Sequence, residues 1–81
     1  MMNMWSYMGK KFKVGKFYEC ANFYMNPIKV LYRTKKHIVV DDGECQWSAR
    51  TKIDNDGDEF IQKDTKLVTK GIYTYSASWE I

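Results

Sequence analysis

Acidic residues at every second position are the first feature of this 81-residue chain with a spacing that suits chemistry. The residues are Asp54, Asp56 and Asp58, the D-x-D-x-D pattern with which calcium-binding loops begin. An EF-hand loop also needs glycine at its sixth position and a carboxylate at its twelfth, where this chain has Glu59 and Thr65. Gly57 lies instead where a tight hairpin turn would use it. The pattern therefore favours a plain acidic turn, and we predict no metal site.

The candidate bases and nucleophiles lack the partners that catalysis requires. His37, the single histidine, follows a basic turn opposite Ser48 and Arg33 in the expected pairing, with no acid to orient it. Cys20 and Cys45 lie inside predicted strands, with no histidine or second cysteine at zinc spacing. Reduced, half-buried thiols are the favoured interpretation, and a single disulfide is the alternative. The sequence also has no glycine-rich phosphate loop. We predict a protein that is not an enzyme and needs no cofactor.

Three consecutive antiparallel strands are the elements that would position any functional residue. The pattern predicts them at residues 28–33, 37–41 and 44–53. Asp42-Gly43 suits a two-residue type I′ turn, which would pair Val40 with Cys45 and Ile38 with Trp47. Because side chains alternate across a strand, one face then collects the apolar residues Ile38, Val40, Cys45, Trp47 and Ala49.

The preceding loop, residues 34–36, predicts an equally consistent register. It pairs Tyr32 with Ile38 and Val30 with Val40 on the buried face. It pairs Leu31 with Val39 and Lys29 with Asp41 on the outer face. Two independent loops thus sort the apolar residues to the same side, which indicates a meander.

Further strands flank this meander. Residues 17–24 form a less regular first strand, and an Asp56-Gly57 turn would pair Ile53 with Phe60 at the start of a strand over residues 59–63. Residues 64–71 are polar and predict a loop or a single helical turn. Residues 73–81 alternate cleanly, with Trp79 on the apolar face, and would pair with the first strand. We predict one all-β domain over residues 1–81, a small SH3-like barrel of five or six antiparallel strands, with an open sheet or sandwich as the alternative.

Composition limits the partners. The net charge of +3 permits weak attraction to nucleic acid but is smaller than a strongly basic footprint. The mean hydropathy is −0.56, and no apolar run approaches the ~20 residues of a membrane span, so we expect a soluble, cytoplasmic protein without membrane contact. Alternate turns of a meander lie at the same end of the sheet. The basic loop at residues 33–37 is therefore expected beside the acidic loop at residues 54–59.

The first eight residues, MMNMWSYM, form an apolar tail that is too short for a signal peptide. A disordered tail, a docked short element and an upstream extension of the true start are the three interpretations. Trp5 and Tyr7 are costly to leave in water, which favours docking on the barrel or across a homo-oligomer boundary.

The predicted outward face of the meander is the candidate binding site. Its residues are Lys29, Leu31, Arg33, His37, Val39, Arg50 and Lys52. Basic and apolar side chains in this mixture suit either a nucleic-acid groove or a protein-docking patch, and an ordinary solvated sheet surface is the alternative. Exposed aromatic rings would favour nucleic acid, and Tyr18 and Tyr24 are the candidates.

A resemblance adds an expectation about function. The runs YECANFY at residues 18–24, PIKVL at residues 27–31 and Arg33-Thr34 resemble short phage- and mobile-element-encoded β proteins of uncharacterised function, over roughly residues 14–59. The resemblance implies a protein that acts by binding, for example by blocking a host defence complex. We therefore expect a non-catalytic module that binds a protein or nucleoprotein, with direct nucleic-acid binding and small-ligand sequestration as alternatives.

Overall fold

The computed structural model describes residues 9–21, 25–64 and 72–81. Within these ranges the chain forms seven β-strands and no helix. The strands are β1 (Phe17–Cys20), β2 (Ile28–Arg33), β3 (His37–Asp41), β4 (Gln46–Arg50), β5 (Lys52–Ile53), β6 (Glu59–Asp64) and β7 (Ile72–Glu80). The expectations for the tail at residues 1–8, for Tyr24 and for the loop after Asp64 fall outside the described residues.

The strands form one antiparallel sheet in the order β4-β3-β2-β1-β7-β6-β5. Its two edge strands, β4 and β5, are separated along the chain by Thr51 alone, and β4 also contacts β6, so the sheet curls into a nearly closed barrel. The predicted pairing of the last strand with the first is confirmed. The predicted all-β small barrel built on a meander is confirmed too, with seven strands in the described residues rather than five or six.

The core lies inside the barrel, where the inward side chains of six segments meet. Its buried apolar members are Phe12, Tyr18, Cys20, Ile28, Val30, Ile38, Val40, Ile61, Tyr75 and Ala77. Trp47 and Ala49 pack against this core and are partly buried. The inward placement predicted for Ile38 and Val40 is therefore confirmed. The prediction that Trp79 joins them is wrong, because 41% of its surface is exposed.

The β3–β4 register differs from the prediction by two residues. Val40 pairs with Trp47 and Ile38 with Ala49, so the turn spans four residues rather than two. A shift of two keeps every strand residue on its predicted face, because side chains alternate with a period of two. Cys45 and Glu44 leave the strand for the turn, and Cys45 is exposed, contrary to prediction. The strand predicted over residues 44–53 is also divided at Thr51 into β4 and β5.

A β-bulge in β2 changes the outer surface. Lys29 pairs with Asp41 and Val30 with Val40 as predicted, but the register then shifts, and Tyr32 pairs with Val39. An extra residue on one strand turns every later side chain to the other face. Tyr32, predicted to be buried, is consequently 61% exposed.

The β5–β6 register is shifted by one residue. Ile53 pairs with Glu59 rather than with Phe60. Glu59 is buried because it shares the inward face of β6 with Ile61, which pairs with the buried Tyr75 of β7. Ile53 pairs with Glu59 but lies on the edge strand β5 and is exposed. A carboxylate therefore lies where the sequence predicted the apolar contact between Ile53 and Phe60.

Candidate functional site

The outward surface of β1–β4 is the main candidate site, and we call it the outer meander face. Cross-strand pairs share a face of a sheet, so three rows of residues define it. The rows are Phe17, Lys29, Asp41 and Gln46; then Tyr32, Val39 and Ser48; then His37 and Arg50.

Two exposed aromatic rings lie on the outer meander face. Phe17 is 47% exposed, and the amino group of Lys29 lies 5.7 Å from the centre of its ring. Tyr32 projects from the next row beside the half-buried Val39. The aromatic candidate Tyr18 is fully buried instead, so the exposed aromatic rings are present but are not the predicted ones.

Cations gather at one end of this face. His37 pairs with Arg50, and both are exposed. Lys35 and Lys36, in the β2–β3 loop, are exposed next to them. The prediction that His37 pairs with Ser48 on one side and Arg33 on the other is wrong, because the β2–β3 and β3–β4 registers both differ from the predicted ones.

The structure brings only part of the predicted site together. Lys29, His37, Val39 and Arg50 share the outer meander face, and Leu31 lies half-buried at the bulge. Lys52 lies on β5 instead, where it pairs with Phe60 and its amino group donates a hydrogen bond to Gln62 Oε1 at 3.3 Å. It therefore belongs to the other half of the barrel.

Arg33, predicted to point outward, is turned toward a buried carboxylate. Its guanidinium donates to both carboxylate oxygens of Glu59 at 2.9 Å and to the carbonyl oxygen of Phe12 at 2.7 Å. The Phe12 amide in turn donates to Glu59 Oε1 at 2.8 Å. The expected proximity of the basic segment 33–37 and the acidic segment 54–59 is thus confirmed at Arg33 and Glu59, whose ion pair turns Arg33 away from the outer meander face.

The pKa of Glu59 reflects this arrangement. Burial by itself would raise the pKa, but the hydrogen bonds from Arg33 and the Phe12 amide, together with the positive charge of Arg33, outweigh it. The pKa consequently lies below its usual value, and Glu59 is ionised at neutral pH.

A second buried carboxylate organises the β3–β4 turn. Asp42 accepts hydrogen bonds from the amides of Glu44 and Cys45 at 2.9 and 3.0 Å. It also accepts from the indole of Trp47 at 3.1 Å and from Lys63 at 3.3 Å. Burial alone would raise the pKa of Asp42, but these donors lower it to about 2. Both buried carboxylates therefore have a lowered pKa and are held by several hydrogen-bond donors.

The acidic β5–β6 loop does form a cluster. One carboxylate oxygen from each of Asp54, Asp56 and Asp58 lies within 4.8 Å of the others. Asp54 Oδ1 accepts from the amides of Asp56 and Asp58, and Gly57 adopts φ of 84°, as the hairpin interpretation required. These hydrogen bonds close an Asx turn, which accounts for the first aspartate without an ion.

Comparisons with known proteins add no relative. No protein-family model, curated protein or solved structure matches the chain. Among the described residues, the structure has no helix with the length and apolar character needed to cross a membrane.

Sequence reasoning missed Tyr32 and Phe17 as surface aromatics and Glu59 as a buried acid. The exposure of Tyr32 depends on the bulge in β2, and no glycine or other turn residue in that strand indicates a bulge. The alternation in residues 17–20 places Phe17 and Tyr18 on opposite faces of β1. Because Tyr18 is buried, Phe17 is the exposed residue of the two. Of these three residues, only Phe17 had a signal in the sequence, namely its alternation with Tyr18.

Proposed function

We propose that this protein is a non-catalytic binding module whose outer meander face takes single-stranded nucleic acid, either alone or within a nucleoprotein. The single observation that supports this proposal best is the exposure of Tyr32 between rows that contain Lys29 and Arg50. Aromatic rings on which bases stack, next to cations that contact phosphates, are typical of surfaces that bind single strands.

The spacing of the surface supports a short binding site. Adjacent strands lie about 4.8 Å apart, so the face from β1 to β4 is roughly 15 Å wide. Phe17 and Tyr32 lie in different rows of this face, which leaves room for two bases. Lys35 and Lys36 extend the positive charge beyond the end that holds His37 and Arg50.

Titration of a labelled single-stranded oligonucleotide, RNA or DNA, at two salt concentrations tests the proposal. The affinity should fall with salt, with a log–log slope of about −0.7 for each phosphate contact. Tyr32→Ala should weaken binding by about fivefold or more, because a stacked base is worth about 1–3 kcal/mol. Lys29→Glu combined with Arg50→Glu should abolish binding and leave the melting temperature nearly unchanged, since both side chains are exposed.

Lys52→Glu is the matched control, because this lysine is exposed on the other half of the barrel. It makes the same charge change as Lys29→Glu and should reduce affinity far less. Absence of binding at low salt, or an equal loss in the Lys52 variant, would contradict a site on the outer meander face.

A protein-docking function for the same face is the second candidate. The half-buried Val39 next to Tyr32 supports it, because an aromatic and apolar centre with a basic rim is typical of binding hot spots. In that case Val39→Asp should abolish binding to a protein partner, while oligonucleotides bind weakly at any salt concentration. A phage-type inhibitor of a host complex is one such protein and follows from the resemblance alone.

A further inference from the structure

A groove on the opposite half of the barrel has a different chemistry from the outer meander face. It has a volume of about 320 Å³ and lies between the β5–β6 loop and the outer surfaces of β6 and β7. Two aromatic residues line it: Trp79, which is 41% exposed, and the partly buried Phe60. Ser76 and Ser78 also line the groove, and their Oγ atoms lie 2.7 Å apart.

The charge of the groove is strongly negative. Asp54, Asp56 and Asp58 line it together with the aromatic residues. The Asx turn uses Asp54 Oδ1, and the Lys10 amide donates to Asp58 Oδ1 at 2.7 Å. The other four carboxylate oxygens accept no hydrogen bond from the described residues. Two lysines belong to the surroundings of this loop: Lys52, on the neighbouring strand β5, donates to Gln62, and Lys10, whose amide contacts Asp58, is exposed.

We propose that this groove binds an arginine side chain of a positively charged protein segment. A guanidinium group can stack on an aromatic face and donate two parallel hydrogen bonds to a carboxylate at the same time. Trp79 and Phe60 supply the aromatic faces, and the carboxylate oxygens that accept no hydrogen bond from the described residues supply the acceptors in the same groove. A metal ion would use the carboxylates alone and leaves the aromatic walls without a role. The protein therefore has two independent docking surfaces, one for an anionic and one for a cationic partner.

The test is titration of the full chain with a nine-residue peptide of alternating arginine and glycine. Binding is followed by the NMR signal of the Trp79 indole N–H, which Trp79→Phe assigns. We expect the arginine peptide to shift this signal and to bind more tightly than a peptide with lysine at the same positions, because lysine cannot donate in parallel. Asp56→Asn and Trp79→Ala should each weaken binding by about two- to fivefold, the range for exposed charge pairs and cation–π contacts.

Two controls separate this groove from general electrostatics and from the proposed function. Glu44→Gln removes the same charge as Asp56→Asn from the exposed β3–β4 turn and should leave peptide affinity unchanged. Tyr32→Ala should likewise leave it unchanged, whereas it should weaken oligonucleotide binding. The two proposals can therefore fail separately.

Three results would overturn the inference. The first is equal weakening by Asp56→Asn and Glu44→Gln, which would indicate nonspecific attraction. The second is a calcium titration that saturates the aspartate signals and leaves Trp79 unmoved, which would indicate a metal site. The third is self-association of the chain that Asp56→Asn abolishes, which would make a second copy the occupant.

Discussion

Replacement of Asp42 by asparagine removes one charge from the β3–β4 turn at nearly constant volume. Asp42 is only 8% exposed. Asparagine Oδ1 can still accept from the amides of Glu44 and Cys45, which bond to Oδ1 in the wild type. The side-chain amide then stands where Oδ2 accepted from Trp47 and Lys63, so that donor faces donor. We expect the folded state to lose these two interactions.

The pKa of Asp42 gives the size of the expected loss in the free energy of unfolding. It falls from 3.8 to about 2 on folding, and each pKa unit corresponds to about 1.4 kcal/mol. Ionised Asp42 therefore contributes about 2 kcal/mol to the free energy of unfolding at neutral pH. Because the folded pKa is the lower one, this contribution is complete above pH 4 and is lost as the pH falls through 2. A domain of this size has a total stability of only about 5 kcal/mol, so the loss is large.

Urea unfolding of both proteins at pH 7, 4 and 2, followed by circular dichroism, measures the effect. Asp42→Asn should cost about 2 kcal/mol at pH 7, and the difference from wild type should shrink toward pH 2. Asp56→Asn is the control, since this aspartate is exposed and should change stability by less than about 0.5 kcal/mol. A difference that is the same at pH 7 and pH 2 would refute the reasoning, because the loss would then arise from shape rather than from charge.

Three further substitutions test the packing around the barrel. Arg33→Met leaves the carboxylate of Glu59 buried without its cation and should lower the free energy of unfolding in urea by about 2–4 kcal/mol. The double variant with Glu59→Leu should recover part of that loss, and no recovery would mean that the two residues are not coupled. Gly9→Ala should lower the melting temperature by several degrees, because a Cβ at this position overlaps the carbonyl oxygen of Gly57, and an unchanged melting temperature would contradict that contact. Trp47→Ala should cost about 2 kcal/mol, less than for a fully buried tryptophan, since the ring is only partly covered; a loss near 5 kcal/mol would place it inside the core.

For the central strands, the sequence predicted which side chains point inward more accurately than it predicted which residues pair across the strands. The β3–β4 turn proved two residues longer than the type I′ turn that Asp42-Gly43 suggested, yet Ile38 and Trp47 kept their faces, because a shift of two preserves alternation. The turn is longer because the Asp42 carboxylate bonds the amides of Glu44 and Cys45 and so holds them out of the ladder.

Shifts of one residue account for the errors that affect the candidate site. The β2 bulge exposed Tyr32 and turned Arg33 away from solvent, and β6 directs Glu59 rather than Phe60 into the barrel. Arg33 and Glu59 form an ion pair with each other. This pair compensates for the cost of burying two charged side chains that the alternation pattern had placed on the surface. Such a compensation depends on contacts between residues 26 positions apart, and local pattern contains no information on it.

The closure of the barrel by Thr51 has a consequence for aggregation. Strands β4 and β5 are the open edges of the sheet, and such edges offer unpaired backbone groups to other chains. Here Thr51 alone joins the two edge strands end to end, and β4 also contacts β6, so the two edges of the sheet are held together at this point. Insertion of a flexible glycine linker after Thr51 would let the edges separate without altering any core residue. We expect such a chain to associate edge to edge, so the shortness of this one connection acts against that association.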